Sequence, residues 1–537
     1  MKKLILIITL FIAYESFSQE DAWVYFIDKP DAATYFSNPL SMLTQRALDR
    51  RTAQGIALDT SDVPIAPTYI NQVTTASGIT VMAKSKWLNA LHVRGSQSHI
   101  QALLSFPFVN SIEFANQTLN SRVPNSDTLA IALVNKQMNV EVSYNYGSSA
   151  NQIQMLNGHL LHEQNYTGAG KIIAVLDSGF INVNSVLPFQ RLFTNNLILG
   201  GYNYVSQNTE VYTLHNHGTM VLSCMGGYVD GQLVGTAPDA QYYLFVTEDV
   251  TTENPVEESY WVEAAEEADR LGVDVISSSL GYFGYDNPNY SHTYSQMTGN
   301  KAFASRGANI AFSKGIIVVA SAGNSGATAN PYVGVPAEAT HVLAIGAVKA
   351  NETYATFSSI GPSFDGRIKP DIMAQGQASV VANTSGAVVT ANGTSFSGPI
   401  MAGMITSFWS AVPSLTAAEV VQFVKESADR YTMPTSQFGY GIPDFQLALS
   451  NALSLSLFDN DTILIYPNPV QDELSIVLPE SEVTGKLFLY NHIGQLVSEY
   501  ALSETNKTVY LSNLASGLYF YQVNTTHKST KGKLLKL

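Results

Sequence analysis

Lys171-Ile172-Ile173-Ala174-Val175-Leu176-Asp177-Ser178-Gly179 is an apolar run without polar alternation, closed by a carboxylate and a turn. Four further runs of similar character follow it along the chain, at residues 242–246, 273–278, 316–320 and 342–348. Strands that are apolar on both faces are typical of parallel sheets. Between two of these runs, apolar residues repeat at helical spacing over 260–271, and Gly272 then supplies a helix stop. The sequence therefore predicts a doubly wound α/β domain.

Asp177 is the first candidate for chemistry in this domain. In an open α/β sheet, ligands collect at the carboxyl ends of the strands, and Asp177 stands at such an end. The following Ser178-Gly179 predicts a turn that exposes the carboxylate. By itself, an aspartate that closes a strand is more often a turn former or a helix cap. Its interpretation depends on the other polar residues of the domain.

Three further residues stand at comparable positions. His217 enters an apolar helix predicted at 220–225. Ser395 precedes a helix predicted at 400–412, whose first turn would present free backbone N–H groups to it. Asn324 follows a predicted strand and has glycines close on both sides, so a substrate backbone could approach its uncharged amide donor. Each has an ordinary alternative: a capping or solvated histidine, a serine N-cap and a turn asparagine.

Taken together in the order Asp, His, Asn, Ser, these residues and their neighbours resemble the subtilisin-like serine proteases (subtilases). The matching segments are Ala174-Val175-Leu176-Asp177-Ser178-Gly179, His217-Gly218-Thr219, Gly235-Thr236-Ala237-Pro238, Ser279-Leu280-Gly281, Ala322-Gly323-Asn324, Gly393-Thr394-Ser395 and Phe438-Gly439-Tyr440-Gly441. The resemblance covers residues 151–451 and implies the parallel-sheet fold of that family.

The resemblance also implies an activity, that of an endopeptidase that hydrolyses protein peptide bonds through an acyl-enzyme. In that mechanism Ser395 is the nucleophile, and His217 acts first as general base and then as general acid. Asp177 orients and stabilises the imidazolium, while the Asn324 amide and the Ser395 backbone N–H hold the oxyanion. The alternative is a non-catalytic surface or binding protein on a subtilase scaffold. The complete set of four residues favours the enzyme.

By the same resemblance, residues from three segments bind the substrate side chain on the acyl side of the cleaved bond (P1). These residues are Ser279, Leu280, Gly281, Ala322, Gly323 and, at the floor of the pocket, Gly334. None of them is charged, so burying a Lys or Arg there would be unfavourable. We expect a preference for aromatic or large aliphatic P1 residues. Glu338 is the carboxylate close in sequence that could reverse this preference.

The chain departs from the usual family pattern at a few places. Met220 stands where the family often carries a second histidine, and Ser397-Gly398 replaces a more usual Ala-Ser. Residues 282–301 form an aromatic-rich insertion after the substrate-binding strand. This insertion either rims the cleft or is a surface loop whose aromatic residues pack on one another. None of these departures touches the four site residues.

The proposed chemistry requires no metal or organic cofactor. The family often carries structural calcium, but the sequence assigns no metal ligands. His159 and His162 could share a helical face, yet no third ligand accompanies them. Cys224 lies in an apolar helix and is better explained by packing than by nucleophilic chemistry. As the only cysteine, it cannot close an intrachain disulfide.

The composition limits the classes of protein and of partner. A length of 537 residues predicts several domains, and 45% hydrophobic against 13% charged residues excludes a mostly disordered chain. The formal net charge of -15 argues against nucleic acid as a partner, because phosphate backbones repel acidic proteins.

The flanking regions indicate export. Residues 1–18 read as a secretory signal peptide, with Lys2 and Lys3 before an apolar run at 4–13. Residues 19–122 predict a small α+β unit that resembles the inhibitory propeptide of subtilases, ahead of the peptidase domain at 145–451. Residues 462–537 predict a β-sandwich. With Tyr466-Pro467-Asn468-Pro469 and a lysine-rich end, they resemble the C-terminal sorting domain of the type IX secretion system.

These regions imply partners and a location. We expect a secreted or cell-surface protein whose partners are protein or peptide substrates, its own propeptide and the type IX secretion machinery. For the C-terminal region, a plain accessory β-sandwich is the alternative.

Overall fold

The computed structural model describes residues 19–120, 144–455, 463–466, 468–478, 484–491, 493–503 and 508–537. The signal peptide predicted at 1–18 lies outside them. The chain divides into two compact units, Met1–Leu449 and Ser450–Leu537. Across the described residues, no helix combines the length and the apolar character needed to cross a membrane.

The N-terminal region is an antiparallel sheet with helices. Its elements are β1 (Gln19–Phe26), α1 (Ala32–Ser37), α2 (Gln45–Ala53), α3 (Pro67–Thr74), β2 (Ile79–Ser85), β3 (Ala90–Ser96), α4 (Gln97–Ala102) and β4 (Val109–Phe114). The four strands lie in the order β2-β3-β1-β4, with every pair antiparallel. This confirms the predicted α+β unit. Three helices between β1 and β2, and strand β3, were not predicted.

Strand β3 escapes prediction because its polar residues are buried. His92 is 1% exposed, and its ring nitrogens lie 2.9 Å from Asp21 Oδ1 and 2.8 Å from Ser259 Oγ. Arg94 Nε donates to the same aspartate. Polar residues inside a strand usually mark its solvent face, and here they face partners distant in sequence instead.

The central region holds the longest helices. Its elements are α5 (Ala150–Gln154), α6 (His159–Glu163), β5 (Ile172–Asp177), α7 (Gln190–Thr194), β6 (Ile198–Asn203), α8 (His217–Gly226), β7 (Tyr228–Val229), β8 (Leu233–Val234), β9 (Gln241–Val246), α9 (Val256–Leu271), β10 (Val275–Ser278), α10 (Phe303–Ser313), β11 (Ile317–Ser321), β12 (Leu343–Val348), β13 (Ile372–Gln375), β14 (Ser379–Ala382), β15 (Val388–Ala391), α11 (Thr394–Ala411), α12 (Ala417–Glu426) and α13 (Phe445–Leu455).

A seven-stranded parallel sheet organises this region, in the order β13-β12-β11-β10-β5-β9-β6. The five predicted apolar runs are five of its strands, and four of them, β5, β10, β11 and β12, are buried along their whole length. The doubly wound α/β prediction is therefore confirmed. Strand β6 was not predicted, because it is only half-buried and contains Gly200 and Gly201. Gly272 ends α9 with a φ of +82°, as its sequence position indicated.

Helix α11 begins earlier than the sequence indicated. The predicted start was residue 400, but the helix runs Thr394–Ala411, so Ser395 lies in its first turn rather than before it. Pro399 is the reason for the error. Proline is usually found in the first turn of a helix, so its position in the sequence suggests that the helix begins there. Its missing N–H leaves the Ser395 carbonyl without a helical donor, and Ser279 Oγ donates to that oxygen at 3.0 Å instead.

The C-terminal unit contains two antiparallel sheets. Its strands are β16 (Leu464–Tyr466), β17 (Glu473–Val477), β18 (Thr484–Tyr490), β19 (Leu496–Ser503), β20 (Thr508–Tyr510), β21 (Gly517–Thr525) and β22 (Ser529–Lys536). The sheets have the orders β16-β17-β20 and β19-β18-β21-β22. One apolar core joins Leu474 and Ile476 of the first sheet to Leu487, Val523 and Leu534 of the second. The predicted β-sandwich is present, and its lysine-rich end is strand β22.

Candidate active site

Asp177 and His217 form a hydrogen-bonded pair. Asp177 is the last residue of β5 and is fully buried. His217 is the first residue of α8, and its Nδ1 lies 2.9 Å from Oδ1 and 3.1 Å from Oδ2 of Asp177. The Ser178 backbone N–H donates to Asp177 Oδ1 at 2.7 Å, so the carboxylate is held from its own turn as well.

Gly218 lets the two residues meet. A Cβ atom at this position would lie 2.5 Å from the Gly179 carbonyl oxygen and 3.0 Å from Asp177 Cβ. Any side chain would therefore push the start of α8 away from the turn that follows β5. The Gly218 of the sequence motif is explained by this close approach of two backbone segments.

The Asp177 carboxylate also sets the ionisation of His217. Burial lowers the pKa of the imidazole, whereas the charge of Asp177 and its hydrogen bond raise it. The net effect is a pKa above the ordinary histidine value of 6.5. The buried carboxylate thus stabilises the protonated form of the imidazole. This stabilisation suits a group that must accept a proton during a reaction.

Ser395 is the second residue of α11, and the ring of the next residue, Phe396, lies 6.2 Å from the His217 ring between centroids. The first four N–H groups of a helix have no i−4 partner within it. In α11, however, the Thr394 N–H donates to Asn324 Oδ1 and the Phe396 N–H donates to the Gly393 carbonyl, so the expected free donor is the N–H of Ser395 itself.

Two of the donors near Ser395 face one small space. Asn324 Oδ1 accepts from the Thr394 backbone N–H at 2.9 Å and from its hydroxyl at 3.1 Å, which orients the amide so that Nδ2 is the free end. A Cβ built on Gly393 would stand 3.6 Å from the Ser395 nitrogen and 3.7 Å from Asn324 Nδ2. Both nitrogens therefore border the space above Gly393, where an oxyanion could accept two hydrogen bonds.

A cavity of about 220 Å³ opens next to Ser395. Ser279, Leu280 and Gly281 line one side, and residues 321–325 line the other. Gly334 is also in the lining, so all six residues assigned to P1 binding border this one cavity. None of the described residues that line it carries a charged side chain.

The aromatic insertion closes the end of the cavity. Tyr282 and Phe283 line it, and the Tyr282 backbone N–H donates to the Val335 carbonyl at 2.8 Å. A Cβ on Gly334 would lie 3.5 Å from Phe283 Cδ2, so the phenyl ring covers the predicted floor of the pocket at Gly334. Farther along, Tyr294 stacks on Tyr332 with ring centroids 3.7 Å apart. The insertion thus rims the cavity, and its buried tyrosines also pack within the core.

Glu338 does not line the cavity. Its side chain is fully buried and accepts from Ser305 Oγ and the Gly299 backbone N–H, each at 2.5 Å. Arg367 Nη2 lies 3.7 Å away. The carboxylate is therefore engaged elsewhere.

Sequence reasoning missed several lining residues. Ser359, Tyr332 and Asn330 border the cavity but lie outside every matching segment. Phe283 belongs to the insertion, whose aromatic content was the only signal. Ser359 Oγ accepts from the Ser325 backbone N–H at 3.1 Å and so also shapes the loop that carries Asn324.

Cys224 and His162 have other roles. Cys224 is buried in α8, and burial raises the pKa of its thiol, which keeps it uncharged. His162 Nδ1 lies 2.9 Å from the Tyr146 hydroxyl, and burial lowers the pKa of His162 to about 4. In the described part of the chain, no three His, Cys, Asp or Glu side chains are grouped as they would be around a metal ion.

Comparison with known proteins divides the chain into three matched regions. The profile of the subtilase family matches residues 168–441. That of a peptidase S8 propeptide domain from Bacteroidota matches residues 21–130, and that of a secretion system C-terminal sorting domain matches residues 464–536.

Individual relatives match the central region. Subtilisin DY of Bacillus licheniformis is 29% identical over 270 residues, which covers 50% of this chain and 87% of that protein. A subtilisin of Bacillus pumilus is 30% identical over 302 residues, covering 55% of this chain and 97% of that protein. Among solved structures, the MycP3 protease from the type VII (ESX-3) secretion system is 22% identical, with a TM-score of 0.45, and covers 57% of this chain and 88% of that one.

Proposed function

Because the chain belongs to the subtilase family, we propose that this subtilisin-like serine endopeptidase cleaves peptide bonds through an acyl-enzyme on Ser395 and is made as a zymogen. The propeptide and the sorting domain mark it as a protein that is secreted or attached to the cell surface.

The observation that carries the proposal is the hydrogen-bonded pair of Asp177 and His217 beside the first turn of α11. In the acylation step, Ser395 Oγ attacks the substrate carbonyl carbon while His217 takes its proton. The oxyanion accepts hydrogen bonds from Asn324 Nδ2 and the Ser395 N–H. His217 then gives the proton to the departing amine as the C–N bond breaks. In the deacylation step, water attacks the acyl carbonyl carbon while His217 takes its proton. His217 then returns the proton to Ser395 Oγ as the acyl group leaves.

The lining of the cavity supports an uncharged P1 residue. Leu280, Phe283 and Tyr332 offer apolar surface, and Glu338, which is hydrogen-bonded to Ser305 and Gly299, is not part of the lining. A lysine or arginine buried here would lose its hydration without gaining a charged partner. We therefore propose cleavage after aromatic or large aliphatic residues.

The N-terminal region supports the zymogen mechanism through its contact with the central region. Trp23 of β1 stacks on Phe303 of α10, with centroids 5.1 Å apart, and donates from Nε1 to Ser259 Oγ at 2.8 Å. Glu266 of α9 accepts from the backbone N–H groups of Lys86 and Trp87. The sheet of the propeptide thus lies on α9 and α10, as a bound inhibitor would. We propose the type IX secretion machinery as the partner of the C-terminal sorting domain.

The proposed chemistry needs only side chains and backbone groups. Calcium is a common structural ion in subtilisins. The described residues contain no cluster of three potential His, Cys, Asp or Glu ligands, so we assign no calcium site here.

Labelling with a fluorophosphonate probe tests the proposal directly. The processed protein should react with the probe and hydrolyse peptides, and Ser395→Ala should abolish both while the circular dichroism spectrum stays unchanged. Ser397→Ala is a matched control, because Ser397 lies in the same helix turn and donates only to the Thr394 carbonyl. Full labelling of Ser395→Ala would refute the assignment. An unreactive parent protein would instead favour the non-catalytic alternative.

A further inference from the structure

A helical lobe separates the first two strands of the propeptide. It consists of residues 28–63 and contains α1 and α2, whereas α3 packs against the core beneath the propeptide sheet. Its small core, formed by Met42, Leu43, Ala47 and Val63, is separate from the core beneath the propeptide sheet. The lobe is therefore a distinct part of the propeptide, and the proposed catalytic mechanism assigns it no role.

Helix α2 of the lobe lies against the C-terminal end of α9. The Thr44 backbone N–H donates to the Arg270 carbonyl at 2.9 Å. Arg46 donates to the Gly272 carbonyl at 3.0 Å and to Asp274 Oδ2 at 2.6 Å. Gly272 leaves room for this contact, since a Cβ there would lie 2.8 Å from Arg46 Cγ. The carbonyl groups and partial negative charge at a helix C-terminus favour arginine at this position.

A second contact involves the end of α10. Gln54, directly after α2, donates to the Gly315 carbonyl and accepts from the Ala417 backbone N–H, both at 2.9 Å. Lys314 lies 2.8 Å from Asp59 and 3.3 Å from Asp62, both of which belong to the lobe. Two successive helices of the central region thus end against the same lobe.

Complementary charges are buried between these surfaces. Arg50 Nη2 lies 2.5 Å from Asp269 Oδ1, and Arg51 Nη2 lies 2.8 Å from Asp269 Oδ2. Arg51 also holds Asp62 at 2.8 Å, and all four side chains are nearly inaccessible to solvent. Removing one partner from such a buried charge pair leaves the other without compensation. The contact is therefore specific as well as extensive.

This contact is remote from the proposed active site. Asp274 accepts from the backbone N–H of Ile172, the first residue of β5, whereas Asp177 is the last residue of that strand. Five residues of strand span about 17 Å. The lobe consequently docks at the N-terminal end of β5, whereas Asp177 lies at the C-terminal end of that strand.

We propose that the helical lobe is a second docking surface of the propeptide, which binds the ends of α9 and α10 and retains the propeptide after the chain is cut between residues 120 and 144. The inference rests on the proposed zymogen mechanism and extends it: release of the inhibitor requires the separation of two surfaces, of which only one is formed by the sheet.

The test uses the full chain with Ser395→Ala and a recognition sequence for a site-specific protease inserted between Asn120 and Tyr144. After that protease has cut the chain, gel filtration follows the release of the propeptide, at a urea concentration where the parent releases it measurably. Arg46→Met combined with Gln54→Ala should accelerate release by about tenfold or more. Both side chains contact the central region, so their loss should weaken docking without disrupting the lobe.

Lys314→Met provides a second variant from the other side of the contact and should also accelerate release. Gln45→Met is the matched control, because this glutamine is on the same helix but bonds only to Asp49. Circular dichroism before cutting reports folding, and Lys314→Met alone decides if the double variant does not fold. Release at the parental rate from the folded variants, or equal acceleration by Gln45→Met, would overturn the proposal. The release experiment uses the Ser395→Ala chain and an added protease, so it does not depend on the activity of the protein itself. Failure of the proposed chemistry would therefore appear in the labelling experiment and not in the release experiment.

Discussion

At the scale of single residues, the Asp177–His217 pair makes a prediction about pH. Burial lowers the pKa of His217, but the opposing effect of Asp177 is larger, so the net pKa lies above 6.5. The base is active only when neutral, so kcat/KM should rise with pH through an apparent pKa above 6.5. Asp177→Asn removes the charge, so the acid limb should move to lower pH, and kcat should fall by about 10⁴.

A pH profile of peptide hydrolysis for both proteins checks this prediction. Asp239→Asn is the control, because Asp239 is a carboxylate paired with Arg191 rather than with His217. An acid limb that stays at the parental pH in Asp177→Asn would show that another group titrates.

Asn324 provides a second test at this scale. Asn324→Ala removes one of the two donors that face the space above Gly393. The kcat should fall by roughly 10² to 10³ with little change in KM, which is the effect that loss of this kind of donor has in subtilisin itself and not a figure derived from this structure. Steady-state kinetics on one peptide substrate measures both constants.

Asn330→Ala is the matched control for Asn324→Ala, since Asn330 lines the same cavity from a position six residues farther along the same loop. It should leave kcat nearly unchanged. A change confined to KM in Asn324→Ala would mean that the amide binds substrate without stabilising the oxyanion.

At the scale of structural elements, the insertion 282–301 contributes Phe283 to the cavity that we propose binds P1. Phe283 covers Gly334, so Phe283→Ala should deepen the cavity and improve cleavage after tryptophan relative to leucine. One methylene group more or less in an apolar pocket changes the ratio of kcat/KM values by about 10-fold to 200-fold, so we expect a shift of at least about 10-fold. Profiling cleavage sites in a peptide library before and after the substitution measures the shift.

Tyr290→Phe tests whether the effect belongs to Phe283 or to the insertion as a whole. Tyr290 is in the same insertion, but its hydroxyl donates to Glu20 of the propeptide at 3.0 Å. Its substitution should leave the P1 preference unchanged. A dominant lysine or arginine at P1 in the parent protein would contradict the assignment of this cavity.

At the scale of the whole molecule, the propeptide and the central region share one apolar core. Trp23, Trp87 and Ala90 belong to the same buried cluster as α9 and α10. A chain without residues 19–120 should therefore fold inefficiently or lack activity, because it leaves the apolar face of those helices uncovered. Recovery of active, correctly folded protein at the parental yield would argue against this role.

The same contact predicts inhibition in trans. The segment 19–120, added to the processed enzyme, should inhibit peptide hydrolysis. Trp87→Ala in the segment should weaken inhibition by more than about 100-fold, because a buried tryptophan contributes several kcal/mol. Leu40→Ala is the control, since Leu40 is 61% exposed. Equal potency of the Trp87→Ala segment would mean that the sheet face does not carry the inhibition.

The sequence determined the parts of this protein that local patterns encode. Continuous apolar runs identified β5, β9 and β10 to β12, because a strand buried on both faces has no polar alternation. Polar residues directly after such strands, with glycines beside them, identified the candidate site, because strand ends and close backbone approaches constrain residue type over a few positions.

Only the tertiary structure decided the features that depend on distant partners. Arg51 is polar and unremarkable in sequence, yet it is buried because Asp269, 218 positions away, pairs with it. The floor of the cavity is closed because Phe283 meets Gly334, and the helical lobe docks because two helices happen to end beside it. The burial of a charge or the closure of a pocket depends on which segments meet, and periodicity along the chain carries no information about that.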